Sequence, residues 1–101
     1  MRLSSTEQQA IRTAAAECFG PDATVRLFGS RARPDGRGGD IDLLIETHQS
    51  DPDLVSHAHT RFLALLYGRL GEQKIDVLVD YPGRQFHPPV YTVARQEGVM
   101  L

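Results

Sequence analysis

The sequence feature that most constrains this chain is an Asp-x-Asp pair at the start of an apolar segment. The pair lies within the stretch Phe28–Glu46, which reads FGSRARPDGRGGDIDLLIE. An apolar run stops at a Gly-Ser pair, a loop rich in Arg and Gly follows, and Asp40 and Asp42 open a second apolar run. Side chains alternate between the two faces of a strand, so these two carboxylates point the same way. Like charges held that close need a cation or a shared proton, which makes this stretch the candidate active site.

Length and composition are those of an ordinary folded domain. The chain has 101 residues, of which 41% are hydrophobic and 24% charged, and we expect a single domain over residues 1–101. A net charge of -2 argues against a protein that coats duplex nucleic acid. The single cysteine, Cys18, excludes an internal disulfide and fits a reducing compartment. With no apolar leader and no apolar run longer than Phe62–Tyr67, the expected location is the cytoplasm.

Helix signals occur at three places along the chain. Ser4 and Glu7 have the spacing of a capping box, which predicts a helix that ends near Gly20. Asp51 followed by a proline predicts the start of a second helix, with its end at Gly71. A third, short helix is predicted over Val90–Glu97, with Gly98 as its C-terminal cap.

Strand signals fall between these helices. We predict strands over Thr24–Phe28, Asp40–Glu46 and Lys74–Asp80, and a terminal strand over 99–101. The order of elements predicts an α/β or α+β fold, a small mixed β-sheet with helices mainly on one face. On this interpretation Asp76 repeats the pattern of Asp42, and the face that bears both is the open one.

The residues of the candidate site exclude several common chemistries. The loop is not a P-loop or a dinucleotide-binding loop, the segment after Asp40 does not have the ligand spacing of an EF-hand, and no Cys/His set suits zinc. Three carboxylates that converge on one face, from Asp40, Asp42 and Asp76, can hold two Mg²⁺ ions. Gly29 permits a close backbone approach, and Ser30 can donate a hydrogen bond to a phosphate.

The combined motif resembles the nucleotidyltransferase superfamily related to DNA polymerase beta. More narrowly, LFGSRAR, GGDIDLLIE, KIDVLVD and the terminal ARQEGVML resemble minimal nucleotidyltransferases (MNT), which are often antitoxins paired with a HEPN-domain toxin. The resemblance implies a nucleotidyltransferase fold in which Gly29 and Ser30 bind the triphosphate. It also implies that Asp40 and Asp42 ligate both Mg²⁺ ions, while Asp76 ligates the catalytic ion and assists deprotonation of the acceptor. Arg31 is the loop arginine that we expect to touch phosphate.

Two departures from the family pattern bear on turnover. Gly39 stands where relatives often have a serine, and nine residues rather than ten separate Ser30 from Asp40. Neither departure removes a ligand, but both alter the geometry of the loop.

The resemblance implies an enzyme that moves AMP from ATP onto a hydroxyl, with a tyrosine of a HEPN toxin as the expected acceptor. Only 25 residues follow Asp76, so we expect the acceptor surface to come from another chain, in a hetero-oligomer. The alternative is a catalytically weak or inactive nucleotide-binding antitoxin that neutralises its partner by contact. Transfer to RNA is a weaker possibility because of the acidic balance.

The other polar residues have ordinary structural interpretations. We expect Cys18 to be a small buried hydrophobe, Asp80 a turn residue and Glu46 a solvated strand end. Surface or loop positions are expected for Arg33, Arg37, His48, His57, His59 and His87.

Overall fold

In the computed structural model, which describes residues 1–36 and 38–101, helices and strands alternate along the chain. Arg37, predicted to solvate the loop, lies outside the described residues. The elements are α1 (Ser5–Phe19), β1 (Thr24–Phe28), a 3-10 helix (Gly29–Ala32), β2 (Ile41–Glu46), α2 (Pro52–Leu70), β3 (Ile75–Asp80), α3 (Pro89–Glu97) and β4 (Val99–Met100). Of these helices, none is long and apolar enough to cross a bilayer.

Local signals position the two long helices as predicted. The Ser4 hydroxyl accepts from the Glu7 backbone N–H, and the Glu7 carboxylate accepts from the Ser4 N–H, so the capping box at α1 is complete. Asp51 caps α2 by accepting from the Asp53 N–H, and Pro52 fills the first turn, where its missing N–H has no cost. Together α1 and α2 form the main helical layer of the fold.

The strands form one mixed sheet in the order β3-β2-β1-β4. Strand β1 pairs antiparallel with β2 and with β4, whereas β2 and β3 pair parallel. A parallel pair needs a long crossover, and the 19-residue α2 supplies it between β2 and β3. The predicted fold class, a small mixed sheet with helices mainly on one face, is confirmed.

The main core lies between α1, α2 and one face of the sheet. Phe62 on α2 is fully buried and meets Phe19 of α1 edge to face, with ring centroids 5.6 Å apart. Each fully buried side chain of this size contributes about 1.5–3 kcal/mol through the hydrophobic effect. The fully buried residues around Phe62 include Ile11, Leu27, Ile41, Leu43, Ile45 and Leu66.

The second face of the sheet is covered in part by α3, which corrects the expectation that it is open. Tyr91 and Ala94 of α3 pack against Phe28 and Leu44, which lie on this face, with Leu78 at the edge of the cluster. Apolar side chains in the middle of the face require such a cover, because their exposure to water is unfavourable. The end of the face near the start of β2 and β3 stays accessible, and there the Asp76 side chain is 54% exposed.

Candidate active site

Two of the predicted site residues are brought together by the register of β2 and β3. Asp42 and Asp76 are Cα partners on these parallel strands, so their side chains leave the same face side by side. Asp40 immediately precedes β2, and Lys74 immediately precedes β3. The Ile41 N–H donates to the Lys74 carbonyl at 2.9 Å, which fixes the starts of the two strands together.

Gly29 lies directly against Asp42. Its φ of +71° is in the left-handed region, which favours glycine, and a Cβ at this position would overlap the Asp42 carboxylate. The neighbouring Phe28 is the register partner of Asp42 in the antiparallel β1–β2 pair, which explains why the turn begins beside that carboxylate. Glycine is therefore required here both by the backbone conformation and by the space available.

Ser30 faces the glycine-rich segment that leads into Asp40. Its Oγ lies 3.3 Å from the point where Gly38 would carry a Cβ. The turn after β1 and the approach to β2 therefore meet at this hydroxyl. The structure thus brings Ser30 to the same end of the sheet as Asp40 and Asp42.

Arg31 makes three hydrogen bonds to groups within the described residues. Its guanidinium donates to the Arg2 carbonyl at 3.0 Å, to the Gly39 carbonyl at 3.0 Å and to Gln73 Oε1 at 3.2 Å. Its Nε is buried without a hydrogen-bond partner among the described residues. The side chain therefore ties the N-terminal segment and the glycine-rich loop to the approach to β3. Its contact with phosphate remains a prediction.

Lys74 is a neighbour of the carboxylates that was absent from the predicted site. Its Nζ lies 3.5 Å from Asp40 Oδ2 and 3.9 Å from Asp76 Oδ2. The side chains of Lys74, Asp40 and Asp76 are 68%, 50% and 54% exposed. The contact between Lys74 and Asp76 had a local signal in the sequence, because residues two apart on an extended segment share a face. The contact with Asp40 is long-range and had no such signal.

The electrostatics of the site centre on Asp42. Its pKa is raised, first because burial disfavours the charged form and then because the charges of Asp76 and Asp40 repel it, while Lys74 acts in the opposite direction. Asp42 forms no ion pair with any side chain in residues 1–36 and 38–101. The ionised carboxylate therefore stands in an environment that favours the arrival of positive charge.

A second carboxylate pair lies on the same two strands, four residues further on. Glu46 and Asp80 are also register partners, but here Arg26 and Arg95 supply positive charge from within the chain. Arg26 Nε lies 3.0 Å from Glu46, Arg95 pairs with both carboxylates, and His87 Nε2 lies 2.8 Å from Asp80 Oδ1.

The expected roles of two residues at this second pair are wrong. Asp80 is the last residue of β3 rather than a turn residue, and its side chain is only 14% exposed. Glu46 is ion-paired rather than merely solvated. His87 lies in an exposed loop, as expected, and from there its ring nitrogen contacts Asp80. The reason is α3, which carries Arg95 across the sheet and was not expected on this face.

The donor set at Asp40, Asp42 and Asp76 is suited to Mg²⁺, which prefers carboxylate oxygens and water. In the present arrangement, no three His, Cys, Asp or Glu side chains of the described chain converge closely enough to hold a metal ion. Asp40 and Asp76 each point an Oδ2 toward Lys74 Nζ, so a metal ion held by all three carboxylates requires rotation of at least one side chain. Both side chains are half-exposed, so nothing buried has to move for that rotation.

Comparison with known proteins assigns this region to a family. A family model described as a nucleotidyltransferase domain matches residues 9–97, which include Gly29, Ser30 and the three aspartates. A search of curated proteins finds no match to the chain.

Proposed function

This chain belongs to the family of nucleotidyltransferase domains, and from that premise we propose that it is a Mg²⁺-dependent enzyme that transfers AMP from ATP to a hydroxyl. One observation carries the proposal, namely the contrast between the two carboxylate pairs. Glu46 and Asp80 form ion pairs with Arg26 and Arg95, and Asp80 also contacts His87, so these carboxylates serve the fold. Asp42 and Asp76 have only the exposed Lys74 nearby among the described residues, which leaves them to act on an external cation.

The carboxylates supply the metal ligands and the proton acceptor. Asp40 and Asp42 would hold Mg²⁺ together with Asp76, and bound Mg²⁺ would neutralise phosphate charge and make the acceptor hydroxyl more acidic. The acceptor oxygen forms a bond to the α-phosphorus, and the bond from that phosphorus to the pyrophosphate oxygen breaks. The hydroxyl proton passes to an oxygen of Asp76, which lies at the exposed edge of the site.

The turn after β1 binds the triphosphate in this proposal. Ser30 donates its hydroxyl to a phosphate oxygen, and Gly29 lets the phosphates approach the backbone without meeting a side chain. Arg31 either touches phosphate itself or acts by holding Gly39, next to Asp40, in place. The positions of these residues support the roles, because Gly29 lies against Asp42, Ser30 faces Gly38 and Arg31 bonds Gly39.

The acceptor in this proposal is a tyrosine hydroxyl on a HEPN-domain toxin, which AMP transfer would silence, so that the chain acts as its antitoxin. The resemblance to minimal nucleotidyltransferases supports this partner. The half-exposed Asp40 and Asp76 support it as well, because a hydroxyl presented by another macromolecule can reach them directly.

The test is a transfer reaction with purified components. The chain is incubated with ATP, Mg²⁺ and the product of the adjacent reading frame, and intact mass spectrometry follows the gain of one AMP on that product. We expect a gain with the native chain and none with Asp42→Asn. If the native chain modifies nothing with any of the four ribonucleotides, the proposed activity is wrong.

One observation favours the alternative, a non-catalytic antitoxin. Lys74 already partners Asp40 and Asp76, so the carboxylates have a protein counter-ion even without a metal. Replacement of Asp40, Asp42 and Asp76 together by Asn separates the two candidates. A triple variant that still protects cells from the partner supports neutralisation by contact, whereas loss of protection with retained binding supports catalysis.

A further inference from the structure

We propose that Lys74 is an exchangeable counter-ion, whose ammonium group pairs with the carboxylates in the metal-free protein and is displaced when a divalent cation binds. The inference rests on the proposed function, because it takes Asp40, Asp42 and Asp76 as the metal ligands. In this inference Lys74 has a positioning role, because its ammonium acts through the carboxylates.

The backbone places Lys74 where it can serve both strands. Its carbonyl accepts from the Ile41 N–H, so its Cα is fixed at the start of the parallel β2–β3 pair. From there the ammonium reaches Asp40 on one strand and Asp76 on the other, at 3.5 and 3.9 Å. A cation that joins both strands offsets the repulsion among the carboxylates when no metal is bound.

The pairs made by Lys74 are weak enough to exchange. Both distances are near the outer limit of an ion pair, and the Lys74 side chain is 68% exposed, so water can replace either contact. The second pair is different, because Asp80 is 14% exposed and bonded to Arg95 and His87. The same two strands therefore carry carboxylates with a replaceable counter-ion, Lys74, at one end and carboxylates with a permanent counter-ion, Arg95, at the other.

Metal binding and the Lys74 contacts compete for the same atoms. Asp40 Oδ2 and Asp76 Oδ2 face the ammonium, and the same two carboxylates are the proposed metal ligands beside Asp42. Three carboxylates against one ammonium also leave an unbalanced negative charge, which a divalent cation neutralises better. Lysine suits such exchange, because it is a point charge on a flexible stem, whereas arginine grips carboxylates through a rigid fork.

The test is isothermal titration calorimetry, in which Mn²⁺ is added to the full chain without nucleotide. We expect Lys74→Met to bind Mn²⁺ about three- to tenfold more tightly than the native chain, since a competing charge is gone. We expect Lys74→Arg to bind about two- to fivefold more weakly, since its fork holds the carboxylates. A matched control is Arg69→Met, which removes an exposed ion pair to Glu17 at 3.6 Å and should leave the affinity unchanged.

Tighter Mn²⁺ binding by Lys74→Met and weaker binding by Lys74→Arg would indicate competition. If Lys74 had a merely structural role, both substitutions would weaken binding. Equal or weaker Mn²⁺ binding by Lys74→Met overturns the inference, and so does the absence of binding in every variant. If Lys74→Met does not fold, Lys74→Arg decides, because unchanged or tighter binding there also overturns it. If the signs are as expected but no variant transfers AMP, the proposed function fails while the role of Lys74 stands.

Discussion

Asp42 and Asp76 are register partners on two parallel strands, so the sheet itself holds two carboxylates side by side on one face. Their separation is set by hydrogen bonds of the backbone rather than by flexible loops. A site built on strands is more precise than a site built on loops, because backbone pairing limits its movement. The charges themselves add nothing to this pairing and oppose it by mutual repulsion.

The first prediction concerns the stability of the metal-free protein with Asp42→Asn. The raised pKa of Asp42 means that the folded state holds a proton more tightly than the unfolded chain, so this residue makes stability fall as pH rises above about 4. The variant should lack that loss and melt about 2–4 °C higher than the native chain at pH 7 in EDTA. Thermal unfolding between pH 4 and 8 measures the difference. A variant that melts lower at pH 7 would contradict the prediction, as would equal effects at both ends of the range.

The second prediction compares Asp76→Asn with Asp80→Asn on the same strand. Asp76→Asn should lower AMP transfer about a hundredfold or more, because a metal ligand is lost, while stability stays near that of the native chain. Asp80→Asn should keep transfer but lose about 1–3 kcal/mol of unfolding free energy, because Arg95 loses one of its two ionised partners. Transfer kinetics and urea unfolding measure the two effects. Similar profiles for both variants would show that the two pairs do not differ in role.

The third prediction compares Gly29→Ala with Gly71→Ala. Both positions have positive φ, at +71° and +78°, so an alanine is strained at both, and Gly71 with ψ of -162° lies in a region that is essentially restricted to glycine. Only at Gly29 does the new methyl group meet the Asp42 carboxylate, whereas no atom of the described residues lies within 4 Å at Gly71. Both variants should therefore lose stability in urea unfolding, but Gly29→Ala alone should lose transfer. If Gly71→Ala loses as much transfer, the close approach to Asp42 is not the cause.

The fourth prediction concerns Arg31→Met. Loss of its hydrogen bonds to the Arg2 and Gly39 carbonyls should destabilise the protein by about 1–2 kcal/mol and weaken ATP binding, because Gly39 adjoins Asp40. Arg33→Met is the control, since Arg33 is exposed and lies two residues further on. Urea unfolding and nucleotide titration measure both effects. An Arg31→Met chain of native stability that binds ATP poorly would instead point to direct contact with phosphate.

Local signals explain what the sequence predicted correctly. Ser4 and Asp51 cap helices through contacts within three residues, so their effect needs no knowledge of the rest of the fold. The alternation of side chains along a strand is also a local property, and it predicted that Asp42 and Asp76 lie on one face. The register between the two strands could not be predicted, because 33 residues, including the whole α2 crossover, lie between Asp42 and Asp76.

What the sequence did not predict depends on α3. Its packing on Leu44 delivers Arg95 to Glu46 and Asp80, and no spacing along the chain links those three residues. A helix of nine residues is too short to be stable alone, so tertiary contact rather than local propensity decides where it lies. The solvated role assigned to Glu46 failed for this reason.

The spacing between the two carboxylate pairs has a consequence for the history of such a chain. About 13 Å of strand separates Asp42 from Glu46, with the buried Leu44 between them, so the charges that hold α3 are distinct from those proposed to bind metal. Mutations that remove the proposed metal ligands would leave the folded state intact or more stable. Quality control that degrades misfolded chains would therefore not eliminate an inactive descendant. Only selection on the reaction itself can preserve the three aspartates.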